Sequence, residues 1–175
     1  MEKLFYVIIH FMITPTLDEE VVLWNKGLDN IAGIDEAGRG SWAGPVVAAV
    51  VILPKEHREI KFIRDSKLLS PKQRKELYTK IINGAKDFGV GIISHRTIDE
   101  IGISKATKLA AKEAVNMLKI KPDFLLIDAL DLKGYCDFKQ KAIIKGDQKV
   151  YTISCASIIA KVTRDNLMST LGGDY

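Results

Sequence analysis

The sequence lacks the features on which membrane, disulfide-rich and fibrous proteins depend. It has two cysteines, Cys136 and Cys155, which lie far apart and in no metal-ligand spacing, so neither a disulfide framework nor a zinc site is indicated. No apolar run reaches the roughly 18 residues that a membrane-spanning helix needs, because the early run from Leu4 to Thr14 is interrupted by His10. Glycine and proline are not in excess, and the chain has no internal repeat. These absences exclude an integral membrane protein and predict a cytoplasmic location.

Length and composition predict one folded domain. A chain of 175 residues and 19.5 kDa has the size of a single hydrophobic core, and 47% hydrophobic with 27% charged residues is typical of globular proteins. The formal net charge of +4 permits an anionic partner, although many ordinary enzymes carry a similar charge. We expect a monomer that does not bind a membrane.

Residues 1–17 differ from the rest of the chain, because they form a short apolar stretch behind a single lysine. A signal peptide is disfavoured, since Glu2 lies in the charged region and no small-residue cleavage site follows Pro15. Two alternatives remain open: this arm packs on the domain, or translation begins at Met12. We therefore divide the chain into an extra N-terminal arm, residues 1–17, and a single domain, residues 18–175.

Strands are predicted where β-branched residues cluster between turn signals, and helices where apolar residues recur at helical spacing behind a capping residue. The predicted strands are Ile31–Glu36, Pro45–Leu53, Phe88–Ser94, Phe124–Asp128 and Ala142–Ile144. The predicted helices are Pro71–Ile82 capped by Ser70, a helix capped by Ser104 that runs to Leu118, and a last helix from Thr152 or Ser154 to Leu171. This mixture predicts an α/β fold in which the first two strands are antiparallel.

Four acidic residues lie at positions where an ordinary surface charge is not expected. Asp35 and Glu36 end the apolar strand IAGIDE, Asp128 ends the apolar strand FLLID, and Asp165 shares a helix face with the apolar residues at 158 and 162. Carboxylates that converge repel each other unless a divalent cation lies among them, and such hard oxygen ligands favour Mg²⁺ or Mn²⁺. The alternative, that these acids are separate caps and surface pairs, stays open.

The glycine-rich segment from Gly33 to Pro45 is the strongest local signal of a ligand site. Gly38 and Gly40, on either side of Arg39, permit backbone conformations in which consecutive amides line a concavity for a phosphate or a hydroxyl. A dinucleotide site is disfavoured, because Pro45 and the Val-rich run after it predict a strand instead of the helix that such a site requires. A plain glycine-rich turn is the remaining alternative.

Two basic turns add candidate contacts to an anion. Lys67 lies in the sequence Asp-Ser-Lys just before a predicted helix, whose N-terminus also attracts anions. Lys145 precedes Gly146 and Asp147 in a predicted tight turn. Each turn alone is weak evidence, since such charges usually belong to a solvated face.

Taken together, these segments resemble the ribonuclease HII family, the type 2 ribonucleases H, from about Glu20 to Met168. The resemblance rests on four blocks in family order and spacing: IAGIDEAGRGSWAGPVVAAVVIL, DSKLLSPKQRKEL, FLLIDAL and IKGDQKVYTISCASIIAKVTRD. It implies a ribonuclease H-like fold, in which a mixed β-sheet is flanked by helices.

The resemblance also implies an activity, a cofactor and a set of site residues. The implied enzyme is an endonuclease that cleaves the RNA strand of RNA–DNA hybrids, and single ribonucleotides embedded in duplex DNA, with two Mg²⁺ or Mn²⁺ ions, leaving 3′-hydroxyl and 5′-phosphate ends. The implied metal ligands and catalytic residues are Asp35, Glu36, Asp128 and Asp165. The implied substrate contacts are Gly38, Arg39 and Gly40 at the ribose 2′-hydroxyl, Lys67 near the backbone phosphates, and Lys145, which with Asp147 matches a further block of the family pattern.

The chain departs from the family after Asp165. Members of the family continue for several dozen residues and carry a tyrosine that stacks at the RNA–DNA junction, whereas ten residues follow Asp165 here, and Tyr175 is not assumed to replace that tyrosine. We therefore expect a catalytic domain without the family's C-terminal tail. Two alternatives accompany the enzyme: a weak or inactive protein that binds hybrid duplexes, and a metal-dependent phosphatase of small molecules. Added salt separates them, because it weakens duplex binding steeply.

Overall fold

The fold is built on a five-stranded mixed sheet, and the computed structural model describes residues 14–56 and 60–172. The strands are β1 (Ile31–Ala37), β2 (Val46–Ile52), β3 (Asp87–Ile93), β4 (Phe124–Asp128) and β5 (Gln140–Ile143), in the spatial order β3-β2-β1-β4-β5. β2 is antiparallel to both β1 and β3, whereas β4 is parallel to both β1 and β5. The predicted α/β class and the antiparallel first pair of strands are confirmed.

Helices cover both faces of this sheet. They are α1 (Asp18–Trp24), α2 (Pro71–Gly84), α3 (His95–Ile101), α4 (Ile103–Asn116), α5 (Gly146–Lys149) and α6 (Tyr151–Gly172), with a short 3-10 helix at Ser66–Leu68. α3 and α4 pack on one face, and α2 and α6 pack on the other. None of the helices in the described part of the chain is long and apolar enough to cross a membrane.

β2 is buried along its whole length because its two sides face different helical layers. Ala48, Val50 and Ile52 join the core beneath α4, whereas Ala49 and Val51 join the core beneath α6. This explains why the strand reads as a continuous apolar run without polar alternation. The β1–β2 pair is thereby held at the centre of the fold.

The helix boundaries differ from the sequence predictions in instructive ways. Ser70 caps α2 as predicted, and Gln73 completes a reciprocal capping box with it. Ser104 is not a cap, since α4 begins at Ile103 and its N-cap residue is Gly102. A serine does cap the preceding helix, α3, because Ser94 Oγ accepts a hydrogen bond from the N–H of Thr97. α1 and α3 were not predicted, because each is a short helix of 7 residues with too few turns to show a periodic stripe.

The N-terminus of α6 is capped by residues distant in the chain and not by its own Thr152 or Ser154. The N–H of Tyr151 donates to the carbonyl of Thr16 at 2.9 Å, and the N–H of Thr152 donates to Glu20 Oε1 at 2.8 Å. Gly33 of β1 lets this turn approach closely, since a Cβ there would collide with the Thr152 backbone. The described end of the predicted arm, residues 14–17, therefore contacts the domain, while residues 1–13 lie outside the described residues.

Candidate active site

Two carboxylates lie side by side because of the register between β1 and β4. Ile34 pairs with Ile127, so Asp35 and Asp128, the next residues on two parallel strands, reach the same edge of the sheet. Asp35 is 5% exposed, and its Oδ1 accepts a hydrogen bond of 2.7 Å from the N–H of Glu36. The side-chain hydroxyl of Ser157, on α6, also hydrogen-bonds this carboxylate. The strand ends therefore place two of the predicted acids together.

A third carboxylate, that of Asp147, comes from the turn between β5 and α6. Lys145 adopts a left-handed conformation, with φ of 57°, and Asp147 lies in the first turn of α5 that follows. The N–H of Gly146 donates to Asp128 Oδ1 at 2.7 Å, which attaches this turn to the end of β4. One carboxylate oxygen from each of Asp35, Asp128 and Asp147 lies within 4.8 Å of the others. We call these three residues the acidic cluster.

Burial and mutual repulsion raise the proton affinity of the acids at this edge. Burial raises the pKa of Asp35 well above its usual value, and the charges of Glu36 and Asp128 raise it further. Burial also raises the pKa of Glu36, against the lowering effect of Arg39. The pKa of Asp147 is raised by burial and by the charge of Asp128. Ionisation of these acids is therefore opposed by burial and, for Asp35 and Asp147, also by repulsion from neighbouring carboxylates.

The donor set fits a divalent cation. The grouped oxygens of the acidic cluster are the hard ligands that Mg²⁺ and Mn²⁺ prefer. Glu36 Oε2 is buried without a hydrogen-bond partner among the described residues, while Glu36 Oε1 accepts from Arg39 Nη1 at 3.2 Å. A cation would supply the missing partner and offset the repulsion. Asp35, Glu36, Asp128 and Asp147 are therefore the residues that can hold a metal.

Asp35, Glu36 and Asp128 line a cleft of about 340 Å³ that the glycine-rich loop also lines. Gly38, Arg39 and Gly40 line it on the loop side, so the structure brings these predicted contacts next to the carboxylates. Lys67 and Lys161 line it from other elements. A phosphate backbone can therefore meet cations and carboxylates in the same cleft.

Within the loop, Gly38 is required by the backbone and Gly40 is not. Gly38 has φ of 110°, and a Cβ there would lie 2.7 Å from both Arg164 Nε and the carbonyl oxygen of Pro45. The buried Arg164 donates to that carbonyl at 3.0 Å and to the carbonyl of Ala43 at 2.9 Å, so its guanidinium packs under the loop. A Cβ at Gly40 would meet open space.

Comparison with known proteins decides the family. The family model described as Ribonuclease HII matches residues 32–174. The chain belongs to the ribonuclease HII family. It is therefore a metal-dependent ribonuclease, a hydrolase, and the resemblance of its four sequence blocks to this family is confirmed.

Relatives and solved structures agree with this assignment. A ribonuclease HII from Dehalococcoides mccartyi is 48% identical over 165 residues, which cover 93% of this chain and 78% of that protein. The crystal structure of ribonuclease H2 from Pyrococcus horikoshii has a TM-score of 0.73 and 33% identity, covering 83% of this chain and 77% of that one. The ribonuclease HII in a complex with PCNA from Archaeoglobus fulgidus has a TM-score of 0.71 and 31% identity, covering 82% and 76%. The predicted ribonuclease H-like fold is confirmed.

The position of Asp165 in this ribonuclease HII differs from the expected convergence of four acids. Its carboxylate pairs with Arg74 Nη2 at 3.3 Å and with Lys161 Nζ at 2.6 Å, and it is not part of the acidic cluster. α6 explains the difference: Ser157, Lys161 and Arg164 line the cleft from one face of this helix. Asp165 lies on another face, with Val162, and borders a separate small pocket beside Arg74 of α2. Asp147 completes the cluster instead.

The two predicted basic contacts are placed differently. The side chain of Lys67 is 78% exposed and lines the cleft, with its Nζ 3.8 Å from Asp147 Oδ2. Lys145 is exposed and lies outside the cleft lining, although its backbone forms the turn before Asp147. Their roles in substrate binding remain predictions.

Sequence reasoning missed Asp147 as a member of the cluster. A signal for it was present, because Asp147 follows closely on a predicted strand, just as Asp128 ends one. If β5 is parallel to β4, both acids reach the same edge of the sheet. The signal for Asp165 was incomplete: helical spacing places it on the same face as residue 162, but does not show that the cleft meets a different face of α6.

Proposed function

We propose that this protein is an endonuclease that cleaves the RNA strand of RNA–DNA hybrids and cuts at single ribonucleotides embedded in duplex DNA. The observation that carries the proposal is the position of the acidic cluster beside the Gly38–Gly40 loop. The carboxylates suit metal-assisted hydrolysis of a phosphodiester, and the loop suits close contact with a ribose. One substrate backbone can engage both.

In the proposed reaction, Asp35, Glu36, Asp128 and Asp147 would hold two divalent ions, Mg²⁺ or Mn²⁺. Ions bound there would lower the pKa of an attacking water and stabilise the charge that develops on the phosphate and on the leaving 3′ oxygen. The protein keeps the ligands oriented, since Asp35 and Asp128 each accept a backbone N–H at 2.7 Å. The products carry 3′-hydroxyl and 5′-phosphate ends, and the cut lies on the 5′ side of the ribonucleotide.

Selection of RNA is proposed to depend on the 2′-hydroxyl, which is the group that distinguishes a ribonucleotide from its DNA neighbours. Gly38 lets the loop pack on Arg164, and Gly40, with open space where a Cβ would lie, would let a ribose approach the loop backbone closely. Arg39 is 45% exposed and pairs with Glu36, so its guanidinium lies between the loop and the acids. Lys67 and Lys161 are positioned for phosphate contacts on the flanking backbone.

The test is cleavage of a DNA duplex that carries one ribonucleotide, with Mg²⁺ or Mn²⁺, followed by separation of the products by length and analysis of their ends. We expect a single cut on the 5′ side of the ribonucleotide and none in the all-DNA duplex. Asp128→Asn should prevent the cut, whereas Asp99→Asn, an exposed residue of α3, should cut like the wild-type protein. Equal cutting of both duplexes, or cutting by Asp128→Asn, would contradict the proposal.

The two alternatives from the sequence are separate outcomes of this experiment. A protein that only binds hybrids would retain the ribonucleotide duplex in a salt-sensitive complex and leave it intact. A phosphatase would hydrolyse a small phosphate ester and spare the duplex. The grouping of three carboxylate oxygens within 4.8 Å favours the nuclease over the binding protein.

A further inference from the structure

Arg74 joins Asp165 of α6 to the segment that carries Lys67. Arg74 Nη2 donates to Asp165 Oδ2 at 3.3 Å, and Arg74 Nη1 donates to the carbonyl oxygens of Ser66 at 3.1 Å and Leu69 at 2.7 Å. Only 12% of the Arg74 side chain is exposed. The guanidinium therefore binds two backbone carbonyls of the 3-10 turn from its inner side.

The same segment, residues 65–69, is attached to the cleft at two more points. Ser66 Oγ lies 3.0 Å from Ser157 Oγ of α6. Asp65 accepts the N–H of Lys67 at 2.9 Å and the side-chain amide of Gln148, from α5, at 3.2 Å. Asp65 and Ser66 are buried, whereas Lys67 is exposed in the cleft. The buried residues Asp65 and Ser66 thus anchor the segment, and Lys67 is its one cation exposed in the cleft.

Asp165 differs from the acidic cluster in how its charge is balanced. Each of its oxygens pairs with a cation, Oδ2 with Arg74 and Oδ1 with Lys161, and Lys161 itself lines the cleft. A metal ligand has to direct an oxygen at the shared ion, and here both oxygens are directed at side chains. The geometry therefore suits a residue that acts through its neighbours.

We propose that Asp165 is a positioning residue for substrate binding: through Arg74 it holds segment 65–69 in place, so that Lys67 faces the phosphate backbone of the bound duplex. This inference rests on the proposed function, because it assumes a nucleic-acid substrate in the cleft. It assigns to Asp165 a role distinct from that of the acidic cluster.

The first experiment separates binding from metal use. For Asp165→Asn we expect a KM for the hybrid duplex about tenfold higher, because the loss of a charge-assisted hydrogen bond lets Arg74 and segment 65–69 move. The value of kcat and the Mn²⁺ concentration that gives half-maximal activity should stay those of the wild-type protein. Asp147→Asn should instead lose kcat, and Asp99→Asn should change neither value.

The second experiment tests the route through Lys67. Asp165→Asn and Lys67→Ala should each raise KM, and Asp165→Asn should add little in the Lys67→Ala background, because both act on one contact. Amide hydrogen exchange gives a readout without catalysis: segment 65–69 should exchange faster in Asp165→Asn than in Asp99→Asn. If Asp165→Asn does not fold, Arg74→Lys, which keeps the charge and loses the forked geometry, tests the same contact.

The outcomes distinguish this inference from the proposed function. If the wild-type protein cuts no ribonucleotide substrate, the proposed function is wrong, and hydrogen exchange with duplex binding by fluorescence anisotropy still tests the role of Asp165. If Asp165→Asn raises the Mn²⁺ requirement and lowers kcat as Asp147→Asn does, Asp165 is a ligand and the inference is wrong. Unchanged exchange in segment 65–69, or additive KM effects in the double variant, also overturns it.

Discussion

The acids at the sheet edge and the acid on α6 are stabilised in opposite ways. Asp35, Asp128 and Asp147 group their oxygens within 4.8 Å, and burial with neighbouring charges raises the pKa of Asp35 and Asp147. Asp165 has a cation against each oxygen. Among the described residues, the ion pairs of the first group are limited to Lys67 with Asp147 at 3.8 Å, whereas both oxygens of Asp165 are balanced by side chains. The position of the neutralising charge, and not the residue type, separates a candidate ligand from a structural acid.

The largest expected effect on activity comes from a substitution in the acidic cluster. Asp147→Asn should lower the rate of cleavage by more than about 100-fold, because it removes an oxygen directed at the ion. Loss of a residue that only hydrogen-bonds a metal ligand costs at most about 100-fold. The melting temperature should not fall, since the neutral isostere relieves repulsion. Rates of duplex cleavage and thermal melts, with Asp99→Asn as the matched control, measure both. Near-wild-type cleavage would remove Asp147 from the site.

The glycine-rich loop, which lies beside the acids, gives a second prediction that involves no change of charge. Gly38→Ala should destabilise the fold by about 1–3 kcal/mol, because the positive φ is strained for alanine and the Cβ meets Arg164 and Pro45. It should also slow cutting at a ribonucleotide. Gly40→Ala, with open space around its Cβ, should leave the free energy of unfolding unchanged. Urea denaturation compares the two variants, and an equal loss in both would show that steric contact at Gly38 is unimportant.

The unbalanced charge should also make the metal-free protein less stable as pH rises. The pKa of Asp35 is raised in the folded state, so its contribution is fully present below the unfolded value of 3.8 and is lost as pH rises through the folded pKa. Thermal melts in a chelator between about pH 4 and pH 8 should show this decline, and Asp35→Asn should reduce it. Added Mg²⁺ should raise the melting temperature more at the higher pH. A decline equally steep in Asp35→Asn would mean that other groups cause it.

Glu20 offers a third way of holding a buried acid, and the smallest expected effect. Its Oε1 accepts the N–H of Thr152 at 2.8 Å, so a helix N-terminus takes the place of the cation. Glu20→Gln keeps a carbonyl acceptor and should cost less than about 1 kcal/mol, whereas Glu20→Ala leaves that N–H unpaired and should cost about 1–3 kcal/mol. Unfolding midpoints in urea compare them. Equal losses would argue that packing, and not the hydrogen bond, is what Glu20 contributes.

The part of this site that depends on strand ends could be predicted from the sequence, and the part that depends on docking could not. Asp35 and Asp128 each lie at the end of an apolar strand segment, so local pattern and the parallel register bring them together. Which face of α6 meets the cleft depends on how this helix docks, and the first turn of α6 is capped at Thr152 by Glu20, 132 residues earlier. No local window contains that partner. The edge position of Asp147 likewise depends on β5 pairing with β4.

The capping of α6 by Thr16 and Glu20 also bears on the order in which activity appears during synthesis. Asp147 follows Asp35 by 112 residues (147 minus 35), and α6 comes later still. At about 5–20 residues per second, the ribosome takes roughly 6–22 s to pass from one acid to the other. Until α6 emerges and docks on β1, the turn that carries Asp147 lacks the helix that follows it. A nascent chain therefore holds an incomplete site, and we expect nuclease activity to begin only after translation has passed α6.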